Sequence, residues 1–239
     1  IIGGWKQLTA AQKELPGAAR AQHAFTSLTG EKYTAIGTSQ GLFLYYDEDF
    51  YDITPLATAI SGATFTSTNN NATVTINKTS HGLAQGRYVT FSSVTLPGAG
   101  ATGYAVADFT GKTYEVITSA TNSFTITMSA VESGTGMTAA GAATIDPYEL
   151  VGPITQTVGY GWGTYLWGDS TWGTARTTSN VVLDPGNWSL DNFGEVLVAT
   201  IHNGKTFTWN AGATNARTVR ASTSTSSFAT TNNPTASIM

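Results

Sequence analysis

The sequence contains no cysteine, so disulfides, thiolate metal sites and cysteine nucleophiles are excluded at once. Charge is scarce as well. The 11 Lys or Arg and 15 Asp or Glu amount to 11% of 239 residues, where an average globular domain carries about 25%. The formal net charge of -4 leaves no excess of cations to displace counterions from a polyanion, which excludes a surface that grips nucleic acid through its phosphates. No apolar run approaches the roughly 18 residues of a membrane span, so none is expected. Helical patterning is almost missing too. The one candidate is Leu8 to Phe25, and Pro16-Gly17 divides it.

In place of charge the chain has 42 Thr and 26 Gly, while 41% of its residues are hydrophobic, enough for a packed core. From Lys32 to Thr54 three short β-prone runs are separated by Thr38-Ser39-Gln40-Gly41 and by Asp47-Glu48-Asp49, which reads as a three-stranded antiparallel meander. From Glu195 to Asn210 the Asn203-Gly204 pair, set between β-branched and aromatic residues, predicts a hairpin with a type I′ turn. Tyr33 to Tyr46 and Val196 to Trp209 align without gaps, Gly41 with Gly204, Leu44 with Phe207 and Tyr46 with Trp209. Such a repeat at wide separation points to two propeller blades.

Between these segments, Ser61 to about Ile145 holds only three basic residues (Lys78, Arg87, Lys112) and three acidic ones (Asp108, Glu115, Glu132). Its apolar residues alternate: Val74 and Ile76, Val89 and Phe91, Tyr114 and Val116, then Phe124, Ile126 and Met128. Four or five strands of an inserted small β-barrel or sandwich are expected, with SGAT at 61 and SGTGMTAAGAAT at 133 as linkers. The predicted fold is therefore all-β: residues 1–61 and 146–239 form a partial β-propeller or sandwich, and residues 62–145 an inserted small β-barrel domain. The chain opens at Ile1 without an initiator Met and stops at Ser237-Ile238-Met239 without a cap or turn, which reads as a fragment of a longer polypeptide. The Ser, Thr, Ala and Asn composition of Ala221 to Ser237 reads as a flexible tail.

Candidate sites are few. Asp47, Glu48, Asp49 and Asp52 lack the alternating spacing and distal Glu of a calcium loop and read as a solvated turn. His23, His81 and His202 are too scattered to form a metal triad without help from the fold, and no metal or cofactor is expected. Neither a nucleophile elbow nor a phosphate loop nor a zinc-protease motif occurs. The segment GYGWGTYLWGDSTWGTAR repeats Trp-Gly at Trp162, Trp167 and Trp172, five residues apart. These indoles are candidate interface rings, with stacking on sugars as the alternative.

GGWKQLT near the start, the Lys32 to Thr54 meander, the Gly/Trp loop and NWSLDNFGEVLVATIHNGKTFTWN together resemble the β-propeller tail proteins of short-tailed bacteriophages, of the tubular or nozzle type, over about residues 1 to 60 and 150 to 210. SHGLAQGRYVTFSSV followed by GKTYEVITSATNSFTIT is similar to a small β-barrel module of phage tail proteins. The resemblance implies a non-enzymatic structural subunit in a nozzle or hub ring, with copies of itself and other tail proteins as partners and DNA as passing cargo. It implies a place in the virion tail, assembled in the cytoplasm of the host bacterium. The alternatives are a glycan-binding tail adhesin and a polysaccharide depolymerase.

Overall fold

The computed structural model describes residues 15–98, 100–151, 155–158, 179–182, 186–201, 204–213 and 216–223. The described chain is all-β, its strands in four antiparallel sheets. The first is a meander of β1 (Ala19–Thr26), β2 (Lys32–Thr38), β3 (Leu42–Tyr46) and β4 (Asp49–Asp52), paired in that order. The last three are the strands expected from the sequence. β1 falls where a helix was expected; residues 8–14 of that stretch lie outside the described residues. The correction has a physical cause, because Phe25 pairs with Tyr33 and His23 with Ala35, and this ladder outweighs the helical preference of Ala-rich sequence. Asp47 and Glu48 link β3 to β4 with φ of 48° and 61°, the paired left-handed conformation of a type I′ turn, and both are exposed.

Residues 60 to 147 supply seven strands: β5 (Ile60–Ser67), β6 (Thr73–Asn77), β7 (Tyr88–Thr95), β8 (Tyr114–Glu115), β9 (Thr118–Ala120), β10 (Ser123–Thr127) and β11 (Ala140–Pro147). A four-residue helix, α1 (Val106–Phe109), lies between β7 and β8. The spatial order is β8-β7-β11-β5-β6-β10-β9. The alternating residues all point into one core: Val74, Ile76, Val89, Phe91, Tyr114, Val116, Phe124, Ile126 and Met128 are buried. The sheet curls until one segment joins its two edges. Tyr114 pairs with Val89 on β7, while Thr118 pairs with Thr125 on β10, and the Ile117 N–H donates to the Thr125 carbonyl at 2.9 Å.

The two supposed linkers need correction. SGAT lies in β5 and AAGAAT overlaps β11, and these strands are neighbours at the middle of the sheet. Their small residues serve close packing. Ala63 and Ala143 are buried opposite each other, and at Gly141 (φ 72°) a Cβ would come within 2.5 Å of the Thr95 carbonyl oxygen.

β12 (Thr155–Val158) pairs with β13 (Ser179–Val182). The fourth sheet is again a four-strand meander: β14 (Trp188–Phe193), β15 (Val196–Ile201), β16 (Thr206–Asn210) and β17 (Ser222–Thr223). The predicted hairpin forms, but Gly204 does not take positive φ; Asn203 lies outside the described residues. The turn is closed instead by the Ile201 N–H donating to the Lys205 carbonyl at 3.1 Å and the Gly204 N–H donating to Ile201 at 2.8 Å. It is one residue longer than the equivalent turn of the first meander, so the gapless alignment slips by one: Leu44 pairs with Ala35, and Phe207 with Ala199. Of the tail, Ser222-Thr223 form β17, and residues 224–239 lie outside the described residues.

The two meanders share a core. Phe25, Tyr33, Ala35, Leu42 and Leu44 from the first pack with Trp188, Leu197, Ala199, Phe207 and Trp209 from the second. Tyr33 stacks on Tyr46 and meets Trp209 edge-on, with centroids 4.8 and 5.5 Å apart. The two meanders approach closely at Gly37, where a Cβ would sit 2.6 Å from Trp188 Cδ1; the Trp188 indole N–H donates to the Thr38 carbonyl at 3.1 Å. Gly37→Ala is expected to lower stability by about 1–3 kcal/mol through overpacking, read as a reduced urea midpoint with an unchanged slope.

Candidate functional site

The predicted candidates Trp162, Trp167 and Trp172 lie outside the described residues, as does His202. Among the described residues, three clusters gather several polar groups from distant parts of the chain. The first lies where the first meander, the seven-stranded sheet and the C-terminal strand region meet. The Tyr148 hydroxyl donates to Asp52 Oδ2, and Arg220 Nη2 donates to the same oxygen at 3.1 Å. Arg220 Nη1 donates to the Thr54 carbonyl at 2.9 Å, Thr113 Oγ1 lies 2.7 Å from the Tyr148 hydroxyl, and Arg87 donates to the Tyr148 carbonyl at 2.6 Å. Burial, and then the Asp52 carboxylate, push the Tyr148 phenol up to about 12. It therefore stays a neutral donor across the physiological range.

In the second cluster Glu31 accepts from the Tyr33 and Tyr46 hydroxyls at 2.7 and 2.8 Å, while Arg217 lies over the Tyr46 ring, 4.5 Å from its centroid. These two phenols hold the Glu31 carboxyl below its ordinary range. Burial and the bond to Glu31 raise Tyr33 to about 12.

Glu132 is the third, and nothing in the spacing of its neighbours marked it. Its carboxylate is fully buried and has no cationic partner among the described residues. Oε2 accepts from Ser67 Oγ at 2.7 Å and Thr102 Oγ1 at 2.9 Å, and Oε1 accepts from the N–H groups of Gly103 at 2.5 Å and Gly134 at 2.9 Å. Burial alone would raise its pKa, but the four donors outweigh it and hold the carboxyl below its ordinary value. The group stitches β5 to the loops on either side of α1 and β10. The available signal was a lone Glu in a Ser/Gly run with no Lys or Arg beside it.

The histidines are separate. His23 on β1 lies 2.8 Å from Asn192 Oδ1 on β14, bridging the meanders. His81 is buried, accepts from the Leu83 N–H at Nδ1 and donates from Nε2 to the Ala120 carbonyl at 2.7 Å. Among the described residues no group of three or more His, Asp or Glu could hold a metal ion, and no helix is long and apolar enough to cross a membrane. In the three clusters the titratable groups bond to fixed partners, an arrangement that fastens loops and sheets.

No family model matches the sequence, and no curated protein does. Among solved structures, the phage phi92 endosialidase aligns over 85% of this chain and 29% of its own length, at 14% identity and a TM-score of 0.30. The chain thus spans under a third of that protein, and so slight a likeness transfers neither activity nor substrate.

Two outcomes follow from the clusters. Tyr148→Phe, which keeps the ring and deletes the hydroxyl, is expected to cost about 1–3 kcal/mol because Asp52 and Thr113 lose a buried partner; denaturant unfolding measures it. Glu132→Gln replaces an oxygen that accepts two hydrogen bonds by an amide donor and should cost a similar amount. Because the folded-state pKa of Glu132 is depressed, its contribution is present above the unfolded pKa of about 4.3 and lost as pH falls through the lower folded value. Urea unfolding at stepped pH should show that part of the acid slope in the wild type and not in the variant.

Proposed function

We propose that the chain is a non-enzymatic structural subunit of a phage tail, of the nozzle or hub type, arranged as a ring of its own copies around the path of the DNA. The observation that carries this reading is the pair of four-stranded meanders with the same strand order packed on one core. Two consecutive blades of a propeller have this arrangement. The phage class rests on the resemblance of the meander and hairpin segments, and of the alternating strands between them, to tail proteins.

The surface chemistry agrees with this reading. A low-charge, Thr-rich exterior suits shared polar contacts between subunits, and a slightly acidic balance would not retain passing DNA through Lys and Arg. Glu31, Asp52 and Glu132 each accept hydrogen bonds that hold loops and sheets together, which is a use of carboxylates for rigidity. Other tail proteins are the remaining partners, and the location is the virion tail after assembly in the host cytoplasm.

Particle analysis tests the proposal. Peptides of this chain are expected in gradient-purified virions at a stoichiometry matching one ring, with density for its sheets around the tail channel. Absence from the particles would overturn the reading. Release of reducing ends from capsular polysaccharide by the purified protein would overturn its non-enzymatic part.

A further inference from the structure

The seven-stranded sheet carries a cleft that the structural role leaves unused. It lies where β8 and the end of β10 part, beyond the last cross-strand pair, Thr125 with Thr118. Its volume is about 550 Å³, and its walls run from Lys112 to Glu115 with Ile117 on one side and from Thr127 to Ser129 on the other. Such a size lies within the range of about 300–1,000 Å³ typical of small-molecule sites. Buried Tyr114 and Met128 form its apolar base, and Ile117, at 40% exposure, adds a hydrophobic wall.

One wall is fixed residue by residue. Lys112 Nζ donates to Asp108 Oδ1 at 3.3 Å, Thr113 Oγ1 meets the Tyr148 hydroxyl at 2.7 Å, and the Tyr114 hydroxyl donates to the Asp108 carbonyl. By contrast the side chains of Glu115, Thr127 and Ser129 are exposed and have no hydrogen-bond or ion-pair partner among the described residues. Two further ammonium protons of Lys112 are also free to donate. The cleft therefore pairs a preorganised wall with a carboxylate, an ammonium and two hydroxyls that have unused capacity, next to exposed aliphatic surface.

We propose that this cleft binds a neutral oligosaccharide. Lys112 is already neutralised by Asp108, and Glu115 leaves one exposed negative charge, so the site disfavours an anionic ligand. A lipid would leave the polar side chains unpaired on burial, which is unfavourable. A sugar presents hydroxyls that both donate and accept along its rim, matching Glu115, Thr127, Ser129 and Lys112, and an aliphatic C–H face that matches Ile117. The proposal goes beyond the structural role and stands on separate residues, so a ring subunit that binds no sugar, or a sugar binder absent from the ring, would be told apart.

The test titrates the full 239-residue chain with neutral tri- and tetrasaccharides of glucose, galactose and N-acetylglucosamine, read by saturation-transfer NMR and calorimetry. At least one member is expected to bind, and Glu115→Gln with Thr127→Val should weaken that binding about tenfold or more, equivalent to 1.4 kcal/mol. Both positions are exposed, and an unchanged urea midpoint would confirm that the fold survives. No saturation transfer from any member at millimolar concentration would overturn the proposal. Binding that is unaltered by these changes, or that is lost only on replacing Trp162, Trp167 and Trp172 by Ala, would overturn it equally.

Discussion

Arg220 reaches from the C-terminal strand region to Asp52 and the Thr54 carbonyl on the first meander, and Asp52 in turn accepts from Tyr148 at the exit of the seven-stranded sheet. Three parts of the chain far apart in sequence are thereby held by one carboxylate oxygen. The arrangement is sparing with charge, since a single ion pair is supplemented by a phenol, a threonine hydroxyl and backbone carbonyls. A half-buried guanidinium left without Asp52 would keep its desolvation penalty and lose its compensation. Tyr148 also supplies a large apolar ring, with Tyr88 6.1 Å away, so the polar knot sits inside a packed aromatic environment.

The rest of the polar chemistry follows the same economy. Two other carboxylates collect several neutral donors apiece: Glu132 gathers two hydroxyls and two backbone N–H groups, and Glu31 gathers two phenols. Hydrogen bonds to a charged acceptor contribute more than neutral ones, about 1.5–3 kcal/mol against roughly 1. Loops rich in Gly, Ser and Thr, which have little apolar surface to bury, are fixed in this way.

Much of the architecture was legible in the sequence because its signals are local. The Lys32 to Thr54 meander and the alternation from Val74 to Met128 depend on period two and turn residues, and both appear as strands with the expected faces buried. What was not legible depends on partners distant in sequence. Ala19–Thr26 is a strand because β2 lies beside it, and Ser61 to Thr64 and Ala139 to Thr144 read as linkers because their small residues make sense only against Phe65 and the Thr95 backbone. The Glu132 knot had no spacing signature, since its donors come from positions 67, 102, 103 and 134. Its identification required the folded backbone.

The way the seven-stranded sheet begins and ends has a consequence for how the molecule reaches its native state. His23 and Asn192, which touch across the shared core, are 169 residues apart, a long loop to close. Ile60 lies opposite Ile145, and Leu56 bridges Tyr148, so once residues 60 to 147 have folded the path between the meanders is shortened to roughly half. Closure entropy grows only with the logarithm of loop length, and halving the loop returns only about 0.6 kcal/mol. The larger effect is on the order of events. Strand pairing within residues 60 to 147 spans shorter separations and can precede the union of the meanders, which then assemble on a frame that already holds their connecting segments side by side.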